Sequence, residues 1–84
     1  MPRNPKFALS VAQAERATWA RENLSTFVKE GARVDVVFTK RDGSSRILTG
    51  TAVEITGEDS SEHVKVVTDE GVRSANLWAV KMIS

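Results

Sequence analysis

RVDVVFTK, residues 33–40, is the stretch that decides the fold of this 84-residue chain. Val34, Val36 and Phe38 take every second position in it, which is the repeat of a β-strand with one buried face. Before residue 33 the larger apolar residues lie roughly on the stripe of an amphipathic helix, so the repeat changes here from about 3.6 residues to about two. The sequence therefore predicts a helical segment followed by a β-sheet.

Four more segments of strand character follow, at residues 45–56, 63–68, 72–77 and 80–83. Asp42-Gly43 predicts a tight hairpin turn after the first strand, since these residue types tolerate positive φ. Gly50 stands in the middle of the long second strand, where a barrel strand bends. The predicted core is made of the inward-facing residues of these strands: Val34, Val36, Phe38, Ile47, Val53, Ile55, Val64, Val66, Val80 and Met82.

The helical segment has recognisable ends. Ser10 and Gln13 have the spacing of a capping box, and Gly31 is placed to end the helix in the left-handed conformation. Asn23 or Ser25 either continues the helix or interrupts it and caps a second, short helix. The sequence therefore predicts one helix or a helix pair.

These elements predict an α+β fold that is mainly β. It consists of an extended arm at residues 1–9, a helical segment at residues 10–31, and a five-stranded antiparallel barrel of the SH3-like or Sm-like kind at residues 32–84. The helical segment is expected to cover one open end of the barrel through three apolar residues: Leu24, Phe27 and Val28. A chain this short supports a single core, so we expect its stability to be marginal. Formation of a homo-oligomer could then contribute to stability.

The composition excludes several classes of function. Without cysteine the chain has no disulfide, no thiolate metal site and no cysteine nucleophile. His63 is the single histidine, so a transition-metal site lacks its usual ligands. A hydrolytic triad would have to use His63 as its base, and the sequence contains no nucleophile elbow. We therefore expect no enzyme activity, no metal and no cofactor. No apolar run reaches the ~20 residues of a membrane span, and the expected location is the cytoplasm.

Basic residues gather around the predicted hairpin. The first 46 residues carry nine Lys and Arg against five acidic residues, and the rest carry three against six. Lys40, Arg41 and Arg46 flank the hairpin tip, and Arg73 joins them if its strand runs alongside. Trp78 lies in a short turn before the last strand, where an indole either stacks on a ligand or closes the barrel end. These five residues are the predicted site for nucleic acid or a nucleotide-like anion.

Residues 28–84 resemble a known family. The hairpin FTKRDGS at residues 38–44 and the segment GVRS at residues 71–74 are similar to those of small phage-encoded domains with a WYL-like, Sm-like SH3 β-barrel fold. That family has a Trp-Arg-Ser-Phe-Arg type segment before its last strand, and this chain has Val72 and Ala75 where the family's Trp and Phe are usual. The resemblance implies a small barrel of phage origin that acts in the host cytoplasm.

Two functions fit these observations. The first is a phage-type module that recognises nucleic acid or a nucleotide-like anion through the basic hairpin tip. The second is a small phage protein that inhibits or redirects a host complex of transcription, replication or immune defence. It would bind that complex through a strand edge or through its helix residues Trp19, Leu24 and Phe27. A structural role in the virion is a third hypothesis.

Overall fold

The computed structural model describes residues 8–84. These residues form one α-helix, five β-strands and two short 3-10 helices. The predicted extended arm, residues 1–9, lies almost entirely outside the described residues. Ala8 and Leu9, at its end, have no regular secondary structure.

Helix α1, Val11–Glu30, begins and ends as its flanking residues predict. The Gln13 backbone N–H donates to Ser10 Oγ at 3.1 Å, and the Ser10 N–H donates to Gln13 Oε1 at 2.9 Å. Gly31 ends the helix with φ at 64°, in the left-handed region that glycine adopts without steric cost. The capping box and the glycine cap are therefore both confirmed.

The helix is continuous, so a helix pair is excluded. Asn23 Nδ2 donates to the Trp19 carbonyl at 2.8 Å, and Ser25 Oγ donates to the Arg21 carbonyl at 2.6 Å. Both side chains bond to a carbonyl one turn earlier instead of capping a new helix. This alternative partner explains why neither residue interrupts α1.

Five antiparallel strands form one sheet in the order β4-β3-β2-β1-β5. The strands are β1 Arg33–Thr39, β2 Ser45–Thr56, β3 His63–Thr68, β4 Gly71–Asn76 and β5 Val80–Ile83. The 3-10 helices η1 and η2, Asp59–Ser61 and Leu77–Ala79, precede β3 and β5. The predicted α+β, mainly β, small barrel-like fold is confirmed.

Strand β2 changes partners in its middle. Up to Thr51 it pairs with β1, and from Thr51 onward it pairs with β3. Gly50 lies at this change, where an ideal Cβ would stand 1.9 Å from the Val67 carbonyl oxygen. A residue without a side chain is therefore required for β3 to lie against β2.

The core lies between the sheet and α1. Twelve buried apolar residues form it: Ala17, Ala20, Leu24, Val34, Val36, Leu48, Ala52, Val64, Val66, Ala75, Leu77 and Val80. Phe27, Val28, Phe38 and Ile55 are partly buried against this cluster. The prediction that the helical segment packs on the strands through Leu24, Phe27 and Val28 is therefore confirmed.

Three predicted core residues face outward instead: Ile47 at 54%, Val53 at 46% and Met82 at 61% exposure. In β2 the inner face carries Leu48 and Ala52, so the predicted phase of this strand is wrong. An irregularity between Ala52 and Glu54 then shifts the alternation, which is why Ile55 still packs on the core.

A second irregularity turns Met82 outward. Phe38 pairs with Val80 and Val37 pairs with Met82, so Lys81 is an extra residue in β5. A bulge of this kind breaks the two-residue alternation. Val80 therefore points into the core while Met82 lies on the outer face of the sheet.

Two arginines hold α1 against the sheet. Arg21 Nε and Nη2 donate to the two Glu62 carboxylate oxygens at 2.7 and 2.6 Å, and this hydrogen-bonded pair raises the pKa of Arg21. Arg16 Nη1 donates to the Val80 carbonyl at 3.2 Å. The second bond brings the amino-terminal half of α1 to β5, which positions the groove described below.

Candidate anion-binding site

The hairpin tip, residues 40–44, is an ordered turn that presents two cations. The Lys40 N–H donates to the Ser44 carbonyl at 2.7 Å, and the Gly43 N–H donates to the Lys40 carbonyl at 2.9 Å. Gly43 has φ at 91°, which the predicted Asp-Gly turn requires. Lys40 and Arg41 are both exposed at this tip.

Asp42 stabilises the turn instead of neutralising a neighbouring cation by a salt bridge. Asp42 Oδ1 accepts from the Ser44 hydroxyl at 2.6 Å and from the Ser44 backbone N–H at 2.9 Å. These two hydrogen bonds lower the pKa of the Asp42 carboxyl, and the bond from the Ser44 hydroxyl has the larger effect. The nearby positive charge of Lys40 lowers this pKa further. Because the folded-state pKa is depressed, this stabilisation is present above the ordinary carboxyl pKa and is lost as the pH falls through the lowered value.

Replacing Ser44 by alanine should raise the pKa of Asp42 toward its ordinary value, because the variant loses the hydroxyl donor. Side-chain carboxyl shifts measured by NMR across an acid titration give this pKa directly. Ser74→Ala in β4 is the matched control and should leave the Asp42 titration unchanged. Equal Asp42 pKa values in Ser44→Ala and the parent would show that the hydroxyl does not hold the carboxylate.

Arg46 and Arg73 lie together, but in a cleft that also carries acidic groups. This cleft, about 250 Å³, runs between the first half of β2 and the β3–β4 turn, and Asp69 and Glu70 line it with the two arginines. Arg46 Nη2 is 3.9 Å from Glu70 Oε1, and Arg73 Nη1 donates to the Val72 carbonyl at 3.1 Å. Lys40 and Arg41 do not line this cleft, so it groups Arg46 and Arg73 with two acidic residues and without the hairpin tip.

Lys81 connects the hairpin with a groove beside α1. Its Nζ donates to Ser45 Oγ at 2.7 Å, and Ser45 pairs with Thr39 where the hairpin leaves the sheet. Sequence reasoning missed Lys81 because its neighbours on β2 and α1 lie far from it along the chain. No local signal in β5 indicates that it lies beside the hairpin.

The α1–β5 groove consists of two adjoining cavities of about 390 and 580 Å³ that share Arg16 and Lys81. The first cavity is bounded on the helix side by Ala12, Glu15 and Trp19. The second is lined further by Gln13, Thr39, Trp78, Ala79 and Met82. Two cations thus stand between two indoles.

The two tryptophans of the groove differ in exposure. Trp78 is half-buried against the core, and its Nε1 donates to the Ser60 carbonyl at 3.0 Å, which holds the ring against η1. Trp19 is 39% exposed and also borders the apolar face of α1 near Val11. The more accessible ring is therefore the one on the helix.

The predicted helix interface is partly wrong. Leu24 is completely buried in the core and Phe27 is partly buried against it, so Leu24 has no surface to offer a partner. Leu24 and Phe27 face inward because the apolar side of α1, on which both lie, packs against the sheet. Trp19 is the exposed member of the predicted set.

An apolar row crosses the outer face of the sheet. Met82, Val37 and Ile47 occupy directly paired positions on β5, β1 and β2. Met82 and Ile47 are more than half exposed, and Val37 between them is half-buried. Directly paired side chains on one face of a sheet lie about 5 Å apart, so the three form one patch, called here the outer apolar row.

His63 has a structural partner. Its Nδ1 lies 2.7 Å from the Ser61 carbonyl oxygen, which favours the tautomer that carries a proton on Nδ1. Within the described part of the chain, no three His, Asp or Glu side chains are grouped so that they could hold a metal ion. Within residues 8–84, no helix combines the length and apolar character that crossing a bilayer requires.

Comparisons of this chain with family models, with curated proteins and with solved structures found no match. The resemblance of residues 28–84 to the phage-encoded barrels therefore stays a prediction.

Proposed function

We propose that this chain is a non-catalytic, phage-type binding module whose ligand is nucleic acid or a nucleotide-like anion. One observation carries the proposal: Lys81, bonded to Ser45 at 2.7 Å, lies between the hairpin tip and the α1–β5 groove. On this proposal Lys40, Arg41, Lys81 and Arg16 act together as one surface, called here the basic surface. A run of cations of this kind can follow a phosphate backbone and release its counterions.

Local charge favours the basic surface over the cleft of Arg46 and Arg73. Asp42 is the acidic residue at the hairpin tip, and both its hydrogen bonds described above come from Ser44. In the cleft, by contrast, Asp69 and Glu70 accompany the two arginines. The basic surface carries four cations against Asp42 and Glu15, whereas the cleft carries two arginines against two carboxylates. A phosphate would therefore meet less net repulsion at the basic surface, and we assign the cleft a secondary role.

Replacing Lys40, Arg41 and Lys81 together by glutamine should weaken binding of a short fluorescein-labelled oligonucleotide and flatten its salt dependence. Each lost phosphate contact lowers the slope of log affinity against log salt by about 0.7 for a single strand or about 0.9 for duplex DNA. The triple variant should therefore lose about 2 to 3 from the slope. Fluorescence anisotropy across a salt series measures it.

The control is a triple variant with the same change in net charge at Lys29, Arg33 and Lys65. Lys29 lies at the other end of α1 from Arg16, Arg33 pairs with Thr51 at the far end of β1, and Lys65 is in β3. Circular dichroism should be unchanged in both variants. Equal affinities and equal slopes for the two would remove the basic surface from the proposal.

The outer apolar row favours a second function, docking on a host protein complex. Soluble proteins that bind partners often expose apolar residues bordered by polar ones, and Lys81 with Ser45 borders this row. Ile47→Gln should then abolish capture of a host complex that resists high salt, while leaving oligonucleotide binding intact, because Ile47 does not line the α1–β5 groove. If the captured complex is unchanged in this variant, the row is not its docking surface.

A further inference from the structure

The α1–β5 groove has the components of a nucleotide site. We infer that it binds an unpaired nucleotide, with the base against the Trp19 indole and the phosphate between Arg16 and Lys81. This inference rests on the proposed function and adds the class of ligand: a nucleoside phosphate whose base is not paired. Its sources are a single strand or a free nucleotide.

Both cations of the groove are held in place by one hydrogen bond each. Arg16 Nη1 donates to the Val80 carbonyl at 3.2 Å, and Lys81 Nζ donates to Ser45 Oγ at 2.7 Å. A guanidinium has five N–H donors and an ammonium has three, so each retains donors for phosphate oxygens. Because the two side chains line both cavities, a phosphate between them would lie where the cavity of Trp19 adjoins the cavity of Trp78.

The indoles select a flat ligand. Trp19 is 39% exposed and forms a wall of the smaller cavity, where a base can lie against its ring. The Trp78 ring is fixed by its bond to the Ser60 carbonyl and forms a wall of the larger cavity. Stacking on such rings accepts any base, because every base has a π face.

Size and charge agree with a nucleotide. The two cavities, about 390 and 580 Å³, fall in the usual range of sites for small molecules. Glu15 is the carboxylate among the residues that line the groove, against the two cations. A carboxylate there can accept a hydrogen bond from a base amino group, as acidic residues do from cytosine.

The geometry also requires an unpaired base. In a duplex both faces of each base are covered by neighbouring bases, so an indole reaches a base face only in a single strand, an extruded nucleotide or a free nucleotide. A phosphate backbone alone would need no aromatic wall. The groove therefore predicts that a single strand binds more tightly than a duplex. The cations of the hairpin tip alone predict no such preference.

The test compares a short oligodeoxyadenylate, a duplex of the same length and AMP as probes of the full chain. We expect the single strand to bind more tightly than the duplex and to quench tryptophan emission. Trp19→Leu should abolish most of that quenching and lower the ratio of single-strand to duplex affinity by about fivefold or more, since one stacked base is lost. Lys81→Gln and Arg16→Gln should weaken the single strand as well, with Lys81→Gln the decisive variant if Arg16→Gln loses its contact with β5 and unfolds.

AMP distinguishes the two sources of the ligand. Saturable quenching by AMP that Trp19→Leu abolishes identifies a free nucleotide as sufficient, and its absence beside strong single-strand binding identifies the strand. If single strand and duplex bind equally and Trp19→Leu leaves their ratio unchanged, the groove inference is overturned while the proposed function stands. If neither polymer binds and AMP does not quench, both are overturned.

Discussion

Gly50→Ala is expected to unfold the domain. An ideal Cβ at Gly50 would lie 1.9 Å from the Val67 carbonyl oxygen, 2.8 Å from its carbon and 3.1 Å from Thr68 Cα. All three atoms are backbone, so no side chain can rotate to make room. Strand β3 would have to separate from β2 at the position where Thr51 pairs with Val67.

The cost of this separation should exceed the ~1–3 kcal/mol of ordinary overpacking, because ladder hydrogen bonds are lost together with the contact. Small domains have total stabilities toward the lower end of about 5–15 kcal/mol, so most of the folded population is lost. Urea denaturation followed by circular dichroism should show no native baseline for Gly50→Ala.

Gly31→Ala is the matched control. Gly31 also avoids a side chain, but for a different reason: its φ is 64°, and an added Cβ meets no atom within 4 Å. The expected cost is about 1–2 kcal/mol of left-handed backbone strain, which leaves the protein folded. A Gly50→Ala protein that melts as Gly31→Ala does would contradict the close approach of β2 and β3.

Sequence reasoning succeeded where local chemistry determines local structure. The Ser10–Gln13 capping box and Gly31 predict both ends of α1, because each acts on backbone groups within a few residues of itself. The alternation of Val34 and Val36 gave the correct phase of β1 for the same reason. These signals need no tertiary contact.

The phase of β2 failed because both of its faces carry apolar residues. Two-residue alternation groups Ile47 and Val53 with Ile55 and so predicts that this set is the inner face. The inner face instead requires small residues where β2 lies against its neighbours, and Gly50 and Ala52 provide them. That requirement comes from the approach of another strand and is absent from β2 itself.

Two parts of the candidate site were predictable, the hairpin tip and Trp78. Lys40 and Arg41 directly precede an Asp-Gly turn, which is a local signal. Arg16 and Lys81 are brought together by the bond from Arg16 to Val80, across a separation of 64 residues. Without knowing how α1 lies on the sheet, the cations beside the two tryptophans could not be grouped.

Leu48→Ala and Ile47→Ala should differ strongly in stability although the residues are neighbours. Leu48 is 4% exposed and faces the core beside Val36, its partner on β1, whereas Ile47 is 54% exposed on the outer face. Removing the Leu48 side chain leaves a cavity and should cost about 2–5 kcal/mol of the free energy of unfolding. For a domain of this size that is a large fraction of the total.

Ile47→Ala removes a similar volume but from a side chain that water already surrounds, so it should cost less than about 1 kcal/mol. Urea midpoints of the two variants, at an unchanged denaturant dependence, measure the difference. Equal losses would mean that the outer face of β2 is covered. The reverse order would put Ile47 in the core and restore the phase that alternation alone predicts. The expected order leaves Ile47 on the solvent side, where the outer apolar row remains accessible to a partner.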